Sequence, residues 1–216
     1  MPINSLNFYL AFACLCICVY VAILDTVIIG YALPAIAVDL KTTSSQAYWC
    51  GTAYLISQTV VQPLYGSFSN IFGRKVCLMT ALFLFTVASF LCAVAPDVRW
   101  LIGSRVMQGL ESGGINVLVN VITADMVPIR DRGKYMGFTS LTGALGLVSG
   151  VVFGSVLAQK VSWRMVFYLN IPICIPTMVG ISLFLNLKRP EKVEEKLNQI
   201  DFVGVLGLTV SLVSTL

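Results

Sequence analysis

Residues 8–36 read FYLAFACLCICVYVAILDTVIIGYALPAI, an unbroken apolar run whose single charged side chain, Asp25, falls near the middle. A helix needs about 20 residues to cross roughly 30 Å of hydrocarbon, and this run exceeds that length. In lipid every backbone N–H and C=O must be satisfied internally, which leaves a helix or a closed barrel. Barrel strands alternate polar and apolar residues, whereas this run is continuous, so it reads as a membrane-spanning helix. No positive charge precedes it, and it runs well past the length of a signal-peptide core, so it is expected to stay in the mature protein.

Five more blocks of this kind follow at residues 48–72, 76–96, 100–127, 135–158 and 165–187, and a seventh begins near Phe202. Across all 216 residues 57% are hydrophobic and 11% charged, too few charges to cover a soluble surface. The expected fold class is an all-α, polytopic membrane protein. It divides into a six-span bundle over residues 1–187, a charged linker over 188–201 and the start of a seventh span over 202–216. Those last fifteen residues are uncharged and would reach only ~22 Å as a helix, which points to a larger protein cut short.

Several chemistries are excluded at this level. The chain has no histidine, which removes histidine-based acid–base catalysis, haem ligation and zinc dyads. Seven cysteines are scattered, with Cys14, Cys16 and Cys18 alternating inside the first span, and no Cys-x-x-Cys spacing occurs. No metal, no cofactor and no enzymatic activity are expected. The net charge of +4 needs no nucleic acid to explain it, because the basic residues sit where membrane insertion places them. Loops after the second, fourth and sixth spans hold Arg74, Lys75, Arg130, Arg132, Lys134, Lys188, Arg189, Lys192 and Lys196, nine in all; the opposite loops hold Lys41, Arg99, Lys160 and Arg164, four. Lys and Arg are retained on the cytoplasmic side, so the N-terminus is expected to be cytoplasmic.

An ionisable side chain at the centre of a span costs at least ~2.5 to 3.5 kcal/mol and is a functional candidate by default. Asp25, Arg105 and Glu111 lie within spans, and Asp125 lies near the cytoplasmic end of the fourth. On a helix, Gln108 and Ser112 share the stripe of Arg105, whereas Glu111 is rotated ~120° away. A direct Arg105–Glu111 pair is therefore not expected, and Glu111 is expected to meet another helix. Two roles are open to Arg105, a staple for backbone carbonyls of a neighbouring helix or a coupling group. The same choice stands for Asp25, between a structural partner and a proton site.

The turn after the second span reads Gly66, Ser67, Phe68, Ser69, Asn70, Ile71, Phe72, Gly73, Arg74, Lys75. It resembles the G-x-L-S-D-x-x-G-R-K signature of the major facilitator superfamily, with Asn70 where the family has Asp. A neutral amide still hydrogen-bonds but cannot form a charged latch. Three more segments match in the same order. Arg105, Val106, Met107, Gln108 and Gly109 resemble the R-x-x-Q-G motif of the fourth span. Gly137, Gly146, Gly150 and Gly154 resemble the spaced glycines of the antiporter motif, with Val151 in place of its proline. Trp163, Arg164, Phe167, Asn170 and Pro172 resemble a W-R-x-x-F-x-x-N-x-P segment. With Leu24, Asp25, Ala32, Leu33 and Pro34, they are similar to the fourteen-span drug:proton antiporter branch. The fungal vacuolar basic amino acid transporters are similar too.

That resemblance implies the N-terminal half of a transporter built from inverted three-helix repeats, with a site near mid-membrane between two bundles. It implies proton and substrate coupling at Asp25, Arg105 and Gln108, to which Glu111 is added as an ionisable residue inside a span. A conformational gate falls on Gly66, Asn70, Gly73, Arg74, Lys75 and Asp125, and helix packing on Gly137, Gly146, Gly150 and Gly154. The implied partners are a small-molecule substrate such as a drug, toxin or basic amino acid, protons, the lipid bilayer and a missing C-terminal half. The implied location is the plasma or vacuolar membrane. The alternative is a truncated half-transporter or membrane interaction module that does not transport. The loop charges make a direct prediction: in a cysteine-free background, a cysteine introduced at Gly133 resists an impermeant thiol reagent in intact cells and reacts after permeabilisation.

Overall fold

The protein is described here by a computed structural model covering residues 5–185; residues 186–187 of the sixth expected span, the linker and the seventh span lie outside the described residues. The elements are α1 (Ser5–Asp39), α2 (Ser44–Phe72), α3 (Arg74–Ala93), α4 (Val98–Met126), α5 (Arg132–Lys160), α6 (Arg164–Tyr168) and α7 (Asn170–Phe184). The six expected spans correspond to these helices, with α6 and α7 together forming the sixth. Pro172 has no N–H with which to bond the carbonyl of Tyr168, and the helix is interrupted at Leu169.

Local chemistry sets the ends. Thr43 caps α2 by accepting from Gln46 N, and Asp97 caps α4 by accepting from Trp100 N at 2.7 Å. The third span stops at Ala93 rather than at Pro96, because the residue before a proline is pushed out of the helical region. Val127 before Pro128 is extended for the same reason and ends α4. Gly73 joins α2 to α3 at φ 92°, a conformation open to glycine and strained for any residue with a Cβ.

Among the described residues, four helices are long and apolar enough to cross a membrane by themselves: α1, α3, α5 and the α6–α7 pair. Helices α2 and α4 are more polar, and they pack extensively against each other. The packing pattern has an internal symmetry that no sequence repeat announces. Helix α2 lies along α4 as α5 lies along α1, and α3 flanks α4 as α6 and α7 flank α1. Swapping the first triplet of spans for the second reproduces the arrangement, the hallmark of an inverted repeat. Two apolar clusters fill the bundle. One is built around Leu15, Leu78, Phe85 and Leu118, the other around Ile28, Ile36, Leu101 and Phe167.

Glycine decides how closely two of these pairs approach. A Cβ on Gly146 would fall 2.9 Å from Tyr20 O, on Gly150 3.2 Å from Leu24 O, and on Gly154 2.9 Å from Ile28 O. These three let α5 rest on the α1 backbone. Gly137 does not belong to that row, contrary to expectation: a Cβ there meets nothing within 4 Å. At this end the Tyr135 ring packs edge-on against Phe8 and Phe12, with centroids 5.5 and 5.0 Å away, and the rings wedge the two helices apart. Gly66, one of the expected gate residues, also has open space around it. At its level the α2–α4 gap is filled by the Tyr65 ring lying over Gly114. The tight α2–α4 contact instead uses Gly109 and Gly113, pressed against the Tyr54 and Gln58 carbonyls. Gly154→Val should therefore destabilise the chain by about 1–3 kcal/mol, as overpacking does. Gly137→Val, with the same change in helix propensity, should stay within about 0.5 kcal/mol. Denaturation followed by circular dichroism in detergent checks both.

Candidate functional site

Between the two apolar clusters lies a closed polar network. Asp25 on α1, Arg105 and Gln108 on α4 and Asn170 at the start of α7 are all fully buried. Arg105 Nη1 donates to Asp25 Oδ2 at 2.6 Å and to Gln108 Oε1 at 2.7 Å. Gln108 Nε2 donates to Asp25 Oδ1 at 3.0 Å and to Ser89 Oγ on α3 at 2.9 Å. Asn170 Nδ2 adds a branch to this ring, donating to Asp25 Oδ1 at 2.6 Å. Six helical segments thus contribute, because α2 supplies both a backbone carbonyl and a ring and α6 supplies a second ring. Arg105 Nε reaches Cys50 O at 3.4 Å, and the guanidinium lies 4.0 Å over the Tyr54 ring and 5.7 Å from the Phe167 ring. Cation–π contact with Tyr54 and Phe167 offsets part of the lost hydration of a guanidinium whose Nη2 has no hydrogen-bond partner.

Arg105 is fixed from two sides in this geometry. It staples a backbone carbonyl of α2 and pairs with the carboxylate of α1. Burial makes the pair a commitment: with one partner removed, the other is a charge in hydrocarbon.

A second polar string runs beside the first. The Tyr54 hydroxyl donates to Ser112 Oγ at 2.7 Å and accepts from Thr26 Oγ1 at 3.2 Å. Gln58 Nε2 also reaches Ser112 Oγ, at 3.4 Å. Ser112 and Gln108 thus share the α4 stripe of Arg105 in space as in register. Glu111 is not part of either string. It is half-buried on another face of α4 and accepts a 2.5 Å hydrogen bond from Tyr65 of α2.

The remaining expected residues sit at the end of the bundle where α2 turns into α3. Arg74 forms an ion pair with Asp125, tying the start of α3 to the end of α4. Lys75 Nζ donates to Ser182 O at 2.8 Å, capping the last turn of α7. Asn70 is exposed. At the opposite end an equivalent clamp ties the start of α6 to the end of α1. Trp163 Nε1 donates to Asp39 Oδ2 at 2.8 Å, Arg164 lies 3.9 Å from the same carboxylate, and Arg164 Nη1 donates to Ala93 O at 3.1 Å. Under the inverted repeat α3 maps onto α6 and α4 onto α1, so the two clamps are symmetry mates.

Sequence reasoning singled out Asp25, Arg105 and Gln108 and assigned no role to Asn170, Ser89 or Tyr54. The first of these stood in a quoted motif. Ser89 and Tyr54 are uncharged residues in apolar spans and carry no local signal.

A bundle of inverted helix triplets that buries a charged pair at mid-depth is the architecture of one half of a secondary membrane transporter. The model of the Major Facilitator Superfamily matches residues 15–212, and the chain belongs to that superfamily. It is 39% identical over 201 residues to MFS transporter L2 of Phoma sp., covering 93% of this chain and 34% of that protein. It is 37% identical over 213 residues to Efflux pump FUS6 of Gibberella moniliformis, covering 98% of this chain and 38% of that protein. The inward open conformation of the xylose transporter XylE from E. coli shares the fold, with TM-score 0.67 and 19% identity over 96% of this chain and 56% of that chain. The chain spans only a little over a third of the length of the curated relatives it matches.

The network makes a quantitative prediction. Asp25→Leu should cost about 3–5 kcal/mol, because it leaves Arg105 buried without its counter-charge. The double variant Asp25→Leu/Arg105→Met should be more stable than Asp25→Leu alone. Thermal unfolding of both variants in detergent checks the order.

Proposed function

We propose that this chain forms the proton-binding half of an antiporter-like secondary transporter that exports small molecules, with drugs, toxins and basic amino acids as candidate substrates. The observation that carries the reading is the sealed Asp25–Arg105 pair. A carboxylate that binds a proton loses its charge, and its hold on Arg105 weakens. Protonation therefore biases the bundle between conformations that keep and release the pair. The name of a relative such as Efflux pump FUS6 supports export as the direction. The nine-to-four asymmetry of basic residues supports a cytoplasmic N-terminus.

The remaining assignments belong to the same proposal. The Arg74–Asp125 clamp and Gly73 act at the cytoplasmic gate, while Glu111 with Tyr65 is a separate intramembrane group. The site takes no cofactor. The substrate binds against a second bundle supplied by the rest of the native gene product. A second reading rests on the coverage of the relatives: the 216-residue chain alone is a half that folds in the bilayer and does not transport.

Proteoliposomes test both. With the native gene product, an imposed proton gradient should drive flux of cationic dyes or basic amino acids. Arg105→Ala should abolish that flux while insertion persists, and Arg105→Lys should recover little, because the planar fork that reaches Asp25 and Gln108 together is lost. Wild-type flux from Arg105→Ala would leave only the structural role. Flux from the 216-residue chain alone, above its Arg105→Ala control, would refute the second reading.

A further inference from the structure

The inference concerns how the network tolerates a proton, and it rests on the proposed role of Asp25 as the proton-binding group. Three side chains touch the oxygens of Asp25: Arg105 Nη1 at Oδ2, and Gln108 Nε2 and Asn170 Nδ2 at Oδ1. All three act as donors, which suits an ionised carboxylate. A protonated Asp25 carries an O–H that itself needs an acceptor, and a buried donor left without one costs about 1–3 kcal/mol. One of the three partners must change its part.

Arg105 cannot, because a guanidinium has no acceptor. Gln108 is locked from both sides. Its Oε1 accepts from Arg105, and its Nε2 also donates to Ser89 Oγ, which is committed as a donor to Phe85 O at 2.9 Å. Turning that amide over would offer a carbonyl to the Asp25 O–H, but it would set its N–H against the Arg105 N–H and its carbonyl against Ser89 Oγ, whose own hydrogen is given to Phe85 O. Asn170 is different. It is fully buried, its Nδ2 serves Asp25, and its Oδ1 has no hydrogen-bond partner. Half a turn of its amide exchanges Nδ2 for Oδ1 at the same short separation and sacrifices no other bond.

We propose that Asn170 is the positioning residue that reads the protonation state of Asp25, its amide donating to the carboxylate and turning over to accept from the acid. The only covalent bond formed is O–H at Asp25 Oδ1; its proton comes from a hydronium ion, whose O–H bond breaks to leave water. The N–H···O⁻ hydrogen bond is replaced by O–H···O, so the tie between α1 and α7 persists in both states. The Arg105 contact, by contrast, loses its charge partner. The proton thereby loosens α1 from α4 while keeping it on α7. The other titratable groups facing Asp25 are Tyr54 from α2, Cys92 from α3 and Cys174 from α7. Tyr54 is engaged with Ser112, and Cys92 Sγ points to Gln108 Oε1 at 3.5 Å.

Difference infrared spectroscopy across a pH titration of the chain in lipid tests this. The protonated-carboxyl stretch of Asp25 is identified by its loss in Asp25→Asn. In the wild type it should lie at the position of a hydrogen-bonded acid. In Asn170→Leu and Asn170→Val it should shift upward to that of a free acid, with helicity by circular dichroism confirming the fold of whichever variant is used. Gln108→Leu should leave it at the hydrogen-bonded position. A band unmoved by either Asn170 variant, or moved only by Gln108→Leu, overturns the role of Asn170 and leaves Asp25 as the proton site. No band that Asp25→Asn removes at any pH overturns both the inference and the reading of Asp25 beneath it.

Discussion

The Asp25–Arg105 pair is the constraint on which the rest of the bundle depends. Neither charge can face hydrocarbon, and neither can be buried alone. Their union requires α1 and α4 to touch at mid-depth, and the remaining helices are arranged so that they can. Helix α2 brings a carbonyl and an aromatic face to the guanidinium, α3 brings Ser89 to Gln108, and α7 brings Asn170 to the carboxylate. The apolar clusters on either side then exclude water from the pair, which strengthens the attraction and raises the cost of losing one partner.

Around that centre the fold uses each device twice. Glycines of α5 rest on the α1 backbone, and glycines of α4 rest on α2. Arg74 at the start of α3 holds Asp125 at the end of α4, and Arg164 at the start of α6 holds Asp39 at the end of α1. The duplicated clamps sit at opposite ends of the bundle, as an inverted repeat demands. They differ in chemistry: the first is a bare ion pair, while the second adds an indole N–H and a cation–π contact, Arg164 lying 4.6 Å over Trp163. The more polar helices, α2 and α4, cover each other, and α1 and α3 touch both.

Much of this was legible in the residues alone. Span number and approximate ends follow from apolar run length and from Pro96, Pro128 and Gly73, because those effects act within a few residues. The shared stripe of Arg105, Gln108 and Ser112, and the displacement of Glu111 from it, follow from helical rotation. Local rules of this kind need no knowledge of which helices meet.

Only the tertiary structure decided the partners. Asp25 meets Arg105 80 positions along the chain and Asn170 145 positions along, and nothing in their spacing announces either contact. Charge marked the first two as residues that must find a partner, since hydrocarbon leaves them no alternative. Asn170, Ser89 and Tyr54 bear no charge, so their importance rests wholly on which atoms stand opposite them. The glycine row shows the same limit. Gly137 and Gly154 belong to one pattern in sequence, yet the crossing of α1 and α5 brings backbone to Gly154, while the Tyr135, Phe8 and Phe12 rings hold the helices apart at the level of Gly137. Spacing fixes which residues share a helix face, and only the crossing of two helices fixes what that face touches.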